Sequence, residues 1–165
     1  MSHEHHQSQL RQALRHAIPS GLDVTNATAS EDERCAIALD RQRQHLVVYD
    51  GTTGRCHIYP AQAIRHVEYL EDGHPTRIGG EPPPVVGDIG GAPPARKVKT
   101  VELRISFHGR DQPQASVCFL TSGIELRKSH PWYQEASRMA VAWKTRLEAA
   151  RNAISSQEEE HEPDD

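Results

Sequence analysis

Eleven histidines and three cysteines are the side chains of this protein best suited to chemistry. His3, Glu4, His5 and His6 stand together at the start, and imidazoles bind transition metals. Nothing in the neighbouring sequence orders them or supplies a hydrogen-bonding partner, so no functional metal site is expected. His45, His57, His66, His74, His108 and His130 follow no HExxH or comparable spacing. Cys56 and His57 are adjacent, but neighbours on a strand point to opposite faces, which separates thiol from imidazole. The chain carries no GxSxG, no P-loop, no GxGxxG after a strand and no CxxC. Asp40, Asp50 and Asp72 fall at turns, where Asp bonds nearby backbone. The expectation is a chain with no catalytic residues, no metal and no cofactor.

Composition narrows the classes further. At 165 residues the chain fits one domain with one core. An odd cysteine count without paired spacing argues against a disulfide framework and for Cys35, Cys56 and Cys118 as small thiols in a reducing compartment. No run of about 18 apolar residues occurs, and Met1 to Leu10 has no apolar secretory region. A cytoplasmic protein is therefore expected, with peripheral attachment to a membrane as the alternative. The net charge is −4, but six acids crowd the last nine residues, and without them the rest is near +2. That balance does not point to nucleic acid. The acidic end, 156–165, reads as a solvated, disordered tail.

The elements that would position any site come from periodicity. Residues 1–8 read as disordered, and Gln9 to Ile18 as a short helix ended by Pro19 and Gly21. Asp23 to Asp32 reads as a polar connection. Alternation then predicts strands at 35–40, 45–49, 55–59, 65–71, 76–78, 97–107 and 114–120. Asp50-Gly51 and Asp72-Gly73 supply turn chemistry. Gly79 to Pro94 holds five glycines and five prolines in sixteen positions and reads as a long inserted loop. The cations Arg96, Lys97 and Lys99 at its end guard a strand edge, with attraction to an anionic membrane as the alternative. Ser129 and Pro131 open a long helix, in which Trp132, Ala136, Met139, Ala140, Trp143, Leu147, Ala150 and Ile154 recur at helical spacing. Both tryptophans are expected on the buried stripe, together contributing on the order of 10 kcal/mol before entropy losses.

The resulting fold class is mostly β with α: a seven-stranded antiparallel barrel capped by a C-terminal helix, with a short N-terminal helix. The organisation is an N-terminal segment 1–30, a domain 31–155 with the Pro/Gly-rich insert 79–96, and the tail 156–165. The ordered blocks CAIALDRQRQHLVVY, YPAQAIRHVEYLEDG, a Gly-rich insert, VELRISFHGRDQP and SHPWYQEASRMAVAWKTRLEAA resemble a bacterial group of uncharacterised pleckstrin-homology-like (PH-like) domains. The resemblance covers about residues 34–150. Members of that group often carry an apolar glycine-zipper-like hairpin in the insert, whereas here only Val85, Val86 and Ile89 are bulky and apolar.

The resemblance implies two sites. In PH-like barrels, loops at one open end bind anionic headgroups or peptides, which by position designates Arg41, Arg43 and Arg110, and the spacing from Arg34 to Arg41-Gln42-Arg43 loosely resembles the basic phosphoinositide pattern of PH domains. Guanidinium groups suit phosphate because their planar fork donates paired hydrogen bonds. Related folds also take up a peptide as an added strand, which designates the groove beside the helix start, at Ser129 and Trp132. The leading expectation is a non-enzymatic interaction module with a protein or peptide partner. Anionic lipid binding through the rim arginines is the first alternative, and an enzyme with an unrecognised site is the second. Oligomeric state is left open.

Overall fold

A computed structural model describes residues 3–18, 22–40, 42, 44–76, 96–111 and 113–158, with backbone alone at 3–8, 10, 25 and 154–158. Helix α1 (His3–Ala17) precedes strands β1 (Val24–Ala29), β2 (Cys35–Asp40), β3 (His45–Asp50) and β4 (Arg55–Pro60). A 3-10 turn, Ala61–Ala63, leads into β5 (Ile64–Glu71), β6 (His74–Pro75), β7 (Lys97–Phe107) and β8 (Gln114–Arg127). Helix α2 (Pro131–Glu158) follows.

The strands form two antiparallel four-stranded sheets, ordered β1-β2-β3-β4 and β6-β5-β7-β8. The expected seven-stranded barrel is therefore corrected to eight strands in two sheets among the described residues, and no ladder among them joins the sheets. They meet where the Glu31 N–H donates to the Cys118 carbonyl at 2.8 Å and the Cys118 N–H donates to Ser30 Oγ at 2.9 Å. A turn and one hydroxyl thus do the work that a continuous ladder would do in a closed barrel.

The core lies between the sheets and under α2. Ile37, Leu39 and Leu46 face Val101, Leu103, Ile105 and Val117, and α2 adds Ala136, Ala140, Trp143, Leu147 and Ala150. A second cluster on the outer face of the first sheet joins Leu14 of α1 to Ala29, Ala36, Ala38 and Val47. This explains why every residue of β2 is buried: its small alanines let α1 approach.

Several expectations change. Asp23 to Asp32 contains β1 rather than only a connection, because Thr28 and Ala29 pair with Ile37 and Ala36 across β2. Helix α1 starts at His3, not Gln9, so residues 3–8 are helical. In the β3–β4 hairpin the positive φ falls on Gly54 (68°), not Gly51. Asp72 and Gly73 both adopt positive φ, 51° and 76°, which makes the tight turn that the sequence indicates. Strand β6 pairs His74 and Pro75 with Glu71 and Leu70, ahead of the strand expected at 76–78, of which only Thr76 is described and stands outside any strand. Residues 77–78, the insert from 79 to 95 and the tail from 159 lie outside the described residues, and α2 continues to Glu158.

The tryptophans part company. Trp143 is 4% exposed, but Trp132 is 66% exposed, and Tyr133 takes the place expected for it. The buried positions are 133, 136, 140, 143, 147 and 150, alternating steps of three and four. Counting back from Ala136, both 132 and 133 continue a helical stripe. Tyr133 wins because its hydroxyl finds a buried carboxylate, Glu71.

Candidate functional site

The second half of β8 shapes a concavity against α2. Between Thr121 and Leu126 this strand advances five residues while β7 advances two, from Thr100 to Val98. The four residues Ser122 to Glu125 stand opposite Lys99 alone, three more than a regular ladder takes, and swell out of it as an enlarged bulge. An earlier one-residue bulge at Phe119 turns both Phe119 and Leu120 into buried positions. These two bulges bend β8 away from its sheet and alongside the first turns of α2.

The groove between them has a volume of about 720 Å³. Ala29, Phe119, Leu120 and Ala136 are its buried members; Thr121 to Ile124 line it from β8, and Trp132, Glu135 and Met139 from α2. Ile124 is 67% exposed and Trp132 66% exposed. Arg11 of α1, Ala29 of β1 and Glu31 of the β1–β2 turn also line it. Glu31 is held by its own element pairing: its Oε2 accepts the Thr121 N–H at 2.7 Å. Glu135 accepts two hydrogen bonds from Arg138, at 3.0 and 2.6 Å, which hold its carboxyl below the usual range. The ring of His130 stands edge-on to Trp132 with centroids 5.3 Å apart, and His130 Nδ1 accepts the Trp132 N–H at 3.3 Å.

Behind the wall formed by Trp132 sits a polar cluster that fastens α2 to β5. Glu71 is 1% exposed, on the inward face that Val67 and Tyr69 begin. Its carboxylate accepts hydrogen bonds from Tyr133 and, at 3.3 Å, from Tyr69. Lys128 reaches both oxygens, at 3.0 and 2.8 Å. Tyr69 Oη in turn accepts the Ser137 hydroxyl at 3.0 Å. Burial and the adjoining Glu71 carboxylate push the Tyr133 hydroxyl above its ordinary range, and burial likewise raises Tyr69. A buried carboxylate is tolerated only when paired in this way. Farther along α2, Lys144 donates to the Val67 carbonyl at 3.0 Å and Arg151 to the Arg65 carbonyl at 3.2 Å. The helix is thereby laid along β5 over its whole exposed flank, leaving its opposite flank facing β8.

The sequence-designated residues are distributed as follows. Trp132 lines the groove; Ser129 does not. Arg34 is 80% exposed in the β1–β2 turn, 3.9 Å from Asp32. Arg110 is exposed in the β7–β8 turn, whose His108 N–H donates to Ala63 of the 3-10 turn. The β2–β3 turn reaches that same end, since the Ala61 N–H donates to the Gln44 carbonyl. Arg41 and Arg43 themselves lie outside the described residues. Arg34 stands at the far end of the six-residue strand β2 from that turn, about 20 Å away at 3.3 Å per residue. The fold therefore does not bring Arg34 to the end of the molecule that carries Arg110.

The remaining candidates are placed as plainly. The side chains of His3, Glu4, His5 and His6 are outside the description, and no group of three metal-ligating side chains occurs among the described residues. The cysteines are free, and burial raises all three thiols, Cys35 to about 12. Cys56 packs toward α1, whereas His57 stacks toward Tyr59 on the other face at 6.3 Å. Among the described residues no helix is long and apolar enough to cross a membrane. Lys97 and Lys99 lie on β7, Lys97 4.0 Å from Glu125.

No family model, curated protein or solved structure matches the chain. The groove must be read from its own chemistry. Sequence reasoning missed most of its members, Ile124 and Met139 with them, because bulges are not written in alternation. Gly123 in the interior of β8 was the available signal, since a strand glycine often marks a bulge.

Proposed function

We propose that this chain is a PH-like, non-enzymatic interaction module that binds a protein or peptide segment in the groove between α2 and β8. The observation that carries this reading is the pair Trp132 and Ile124, both about two-thirds exposed on one trough floored by Phe119 and Leu120. Large apolar side chains held out in solvent around a trough suit a partner that buries them, and tryptophan is enriched among the residues that dominate binding energy. Two sheets followed by one helix packed along them are what the PH-like reading rests on. The Glu71 cluster supports a scaffold role, because its carboxylate is spent on holding α2 in place.

The test is a selection of displayed random peptides on the wild-type protein and on Trp132→Ala combined with Ile124→Ser. Enrichment of a shared apolar motif on the wild type alone supports the proposal. Equal enrichment on both proteins, or none on either, overturns it. Cosedimentation with phosphatidylserine vesicles that disappears in Arg41→Ala, Arg43→Ala, Arg110→Ala would favour anionic lipid binding instead, at the end of the fold where the β2–β3 and β7–β8 turns meet.

A further inference from the structure

The groove and the N-terminal helix share a boundary. Arg11 of α1 and Ala29 of β1 both line the groove, and Ala29 also belongs to the cluster that Leu14 closes on the outer face of the first sheet. Helix α1 therefore walls one end of the groove. That wall is lightly held. Among the described side chains of α1, Leu14 alone is buried, with Ile18 half-buried just past the helix end. Beneath Leu14 lie Ala29, Ala36, Ala38 and Val47, and alanines offer little apolar area to cover. No hydrogen bond or ion pair among the described residues joins a side chain of α1 to the sheets, whereas Tyr133, Lys144 and Arg151 all tie α2 down. Arg11 works against docking: its Nε is fully buried without a hydrogen-bond partner, so the docked helix strips water from a charged donor and supplies no acceptor. A helix of 15 residues is only marginally stable by itself in water.

Resting on the proposed peptide-binding role, we propose that α1 is a displaceable wall that regulates the groove. The helix leaves the outer face of the first sheet and returns to it while the core between the sheets stays folded. Undocking carries Arg11 out of the groove and uncovers Ala29, so that end opens to solvent and a bound segment loses its contacts there. A segment that touches the wall binds the docked state better, and docking and binding then favour each other by the same factor. The undocked fraction lowers the apparent affinity in proportion. Arg11 sets the balance, because its unmatched donor regains water only when the helix lifts off.

Amide hydrogen exchange on the full chain reads the undocking without any ligand. Amides of residues 12–18 should exchange at least about a hundredfold faster than those of β5 and β7. Low urea should leave that rate unchanged, because lifting one helix exposes little surface. Arg11→Met removes the buried donor and keeps a long apolar stem, so it should slow exchange at 12–18 about tenfold. Leu14→Asp should speed it to the rate of an unstructured chain while β5 and β7 keep theirs; Leu14→Ala makes the same test more gently where Leu14→Asp does not fold. The displayed-peptide pool enriched on the wild type is then counted on the Leu14 variant, where recovery should fall about tenfold. Exchange at 12–18 that matches β5 and β7 and rises with urea as theirs does, or a pool recovered equally on both proteins, overturns the displaceable wall and leaves the peptide reading standing. Unchanged exchange in Arg11→Met overturns the part given to Arg11. A library that yields no pool on the wild type overturns the peptide reading and the regulation built on it.

Discussion

Trp132 and Trp143 sit eleven residues apart on one helix, and replacing each by alanine should have very different consequences. A tryptophan buries roughly 200 Å² when fully covered. Trp143, at 4% exposure, withdraws nearly all of that from water, which is about 5 kcal/mol at 25 cal/mol per Å². The expected cost of Trp143→Ala is about 3–5 kcal/mol, in line with other buried tryptophans. Trp132, at 66% exposure, covers only about 70 Å², or about 2 kcal/mol at the same rate. The higher helix propensity of alanine and the entropy released by an ordered side chain offset about half of this. Trp132→Ala should therefore cost about 1 kcal/mol or less. With a urea slope of about 2 kcal/mol per molar, Trp143→Ala lowers the unfolding midpoint by about 2 M and Trp132→Ala by about 0.5 M or less. Each variant keeps one tryptophan, so acrylamide quenching reports its exposure separately. Strong quenching should remain in Trp143→Ala and weak quenching in Trp132→Ala. Equal midpoint shifts, or equal quenching, would refute the division of α2 into a buried Tyr133–Trp143 stripe and a groove-lining flank.

Three further outcomes follow from the same packing. Tyr133→Phe removes a hydrogen bond to a buried carboxylate and should cost about 1.5–3 kcal/mol; combined with Glu71→Gln it should be non-additive by more than about 0.5 kcal/mol, and strict additivity in urea melts would dissolve the cluster. Burial raises the Cys35 thiol from its ordinary 9.0 to about 12 and also raises Cys118 and Tyr133. A folded-state value above the unfolded one favours the protonated form, so this contribution is whole below about pH 9 and lost as pH climbs toward 12. Urea midpoints should fall across that window, more gently in Cys35→Ala, and a flat profile would contradict the burial. Asp40, 7% exposed, accepts the N–H groups of Gln44 at 2.7 Å and His45 at 3.1 Å, so Asp40→Ala should cost about 1–3 kcal/mol, with faster amide exchange confined to that turn.

The sequence by itself determined the elements whose signal is local. Alternation located β2, β3, β4, β5 and β7, and the Asp72-Gly73 pair marked a turn whose positive φ values suit those residues. Helical spacing with Ser129 and Pro131 placed α2. Strand β1 escaped because VTNATA is short and small-residued, and it becomes a strand only when β2 and Leu14 cover it. The choice between Trp132 and Tyr133 also lay beyond periodicity, since both fit a helical stripe. A hydroxyl meeting Glu71, which is distant in the chain, decided it. The groove itself belongs wholly to tertiary structure. Its walls are a bulge, set by pairing against β7, and the flank of α2 left over after Lys144, Arg151 and Tyr133 tie the helix to β5. Such long-range choices depend on which partner each group meets, and a local pattern carries no record of that.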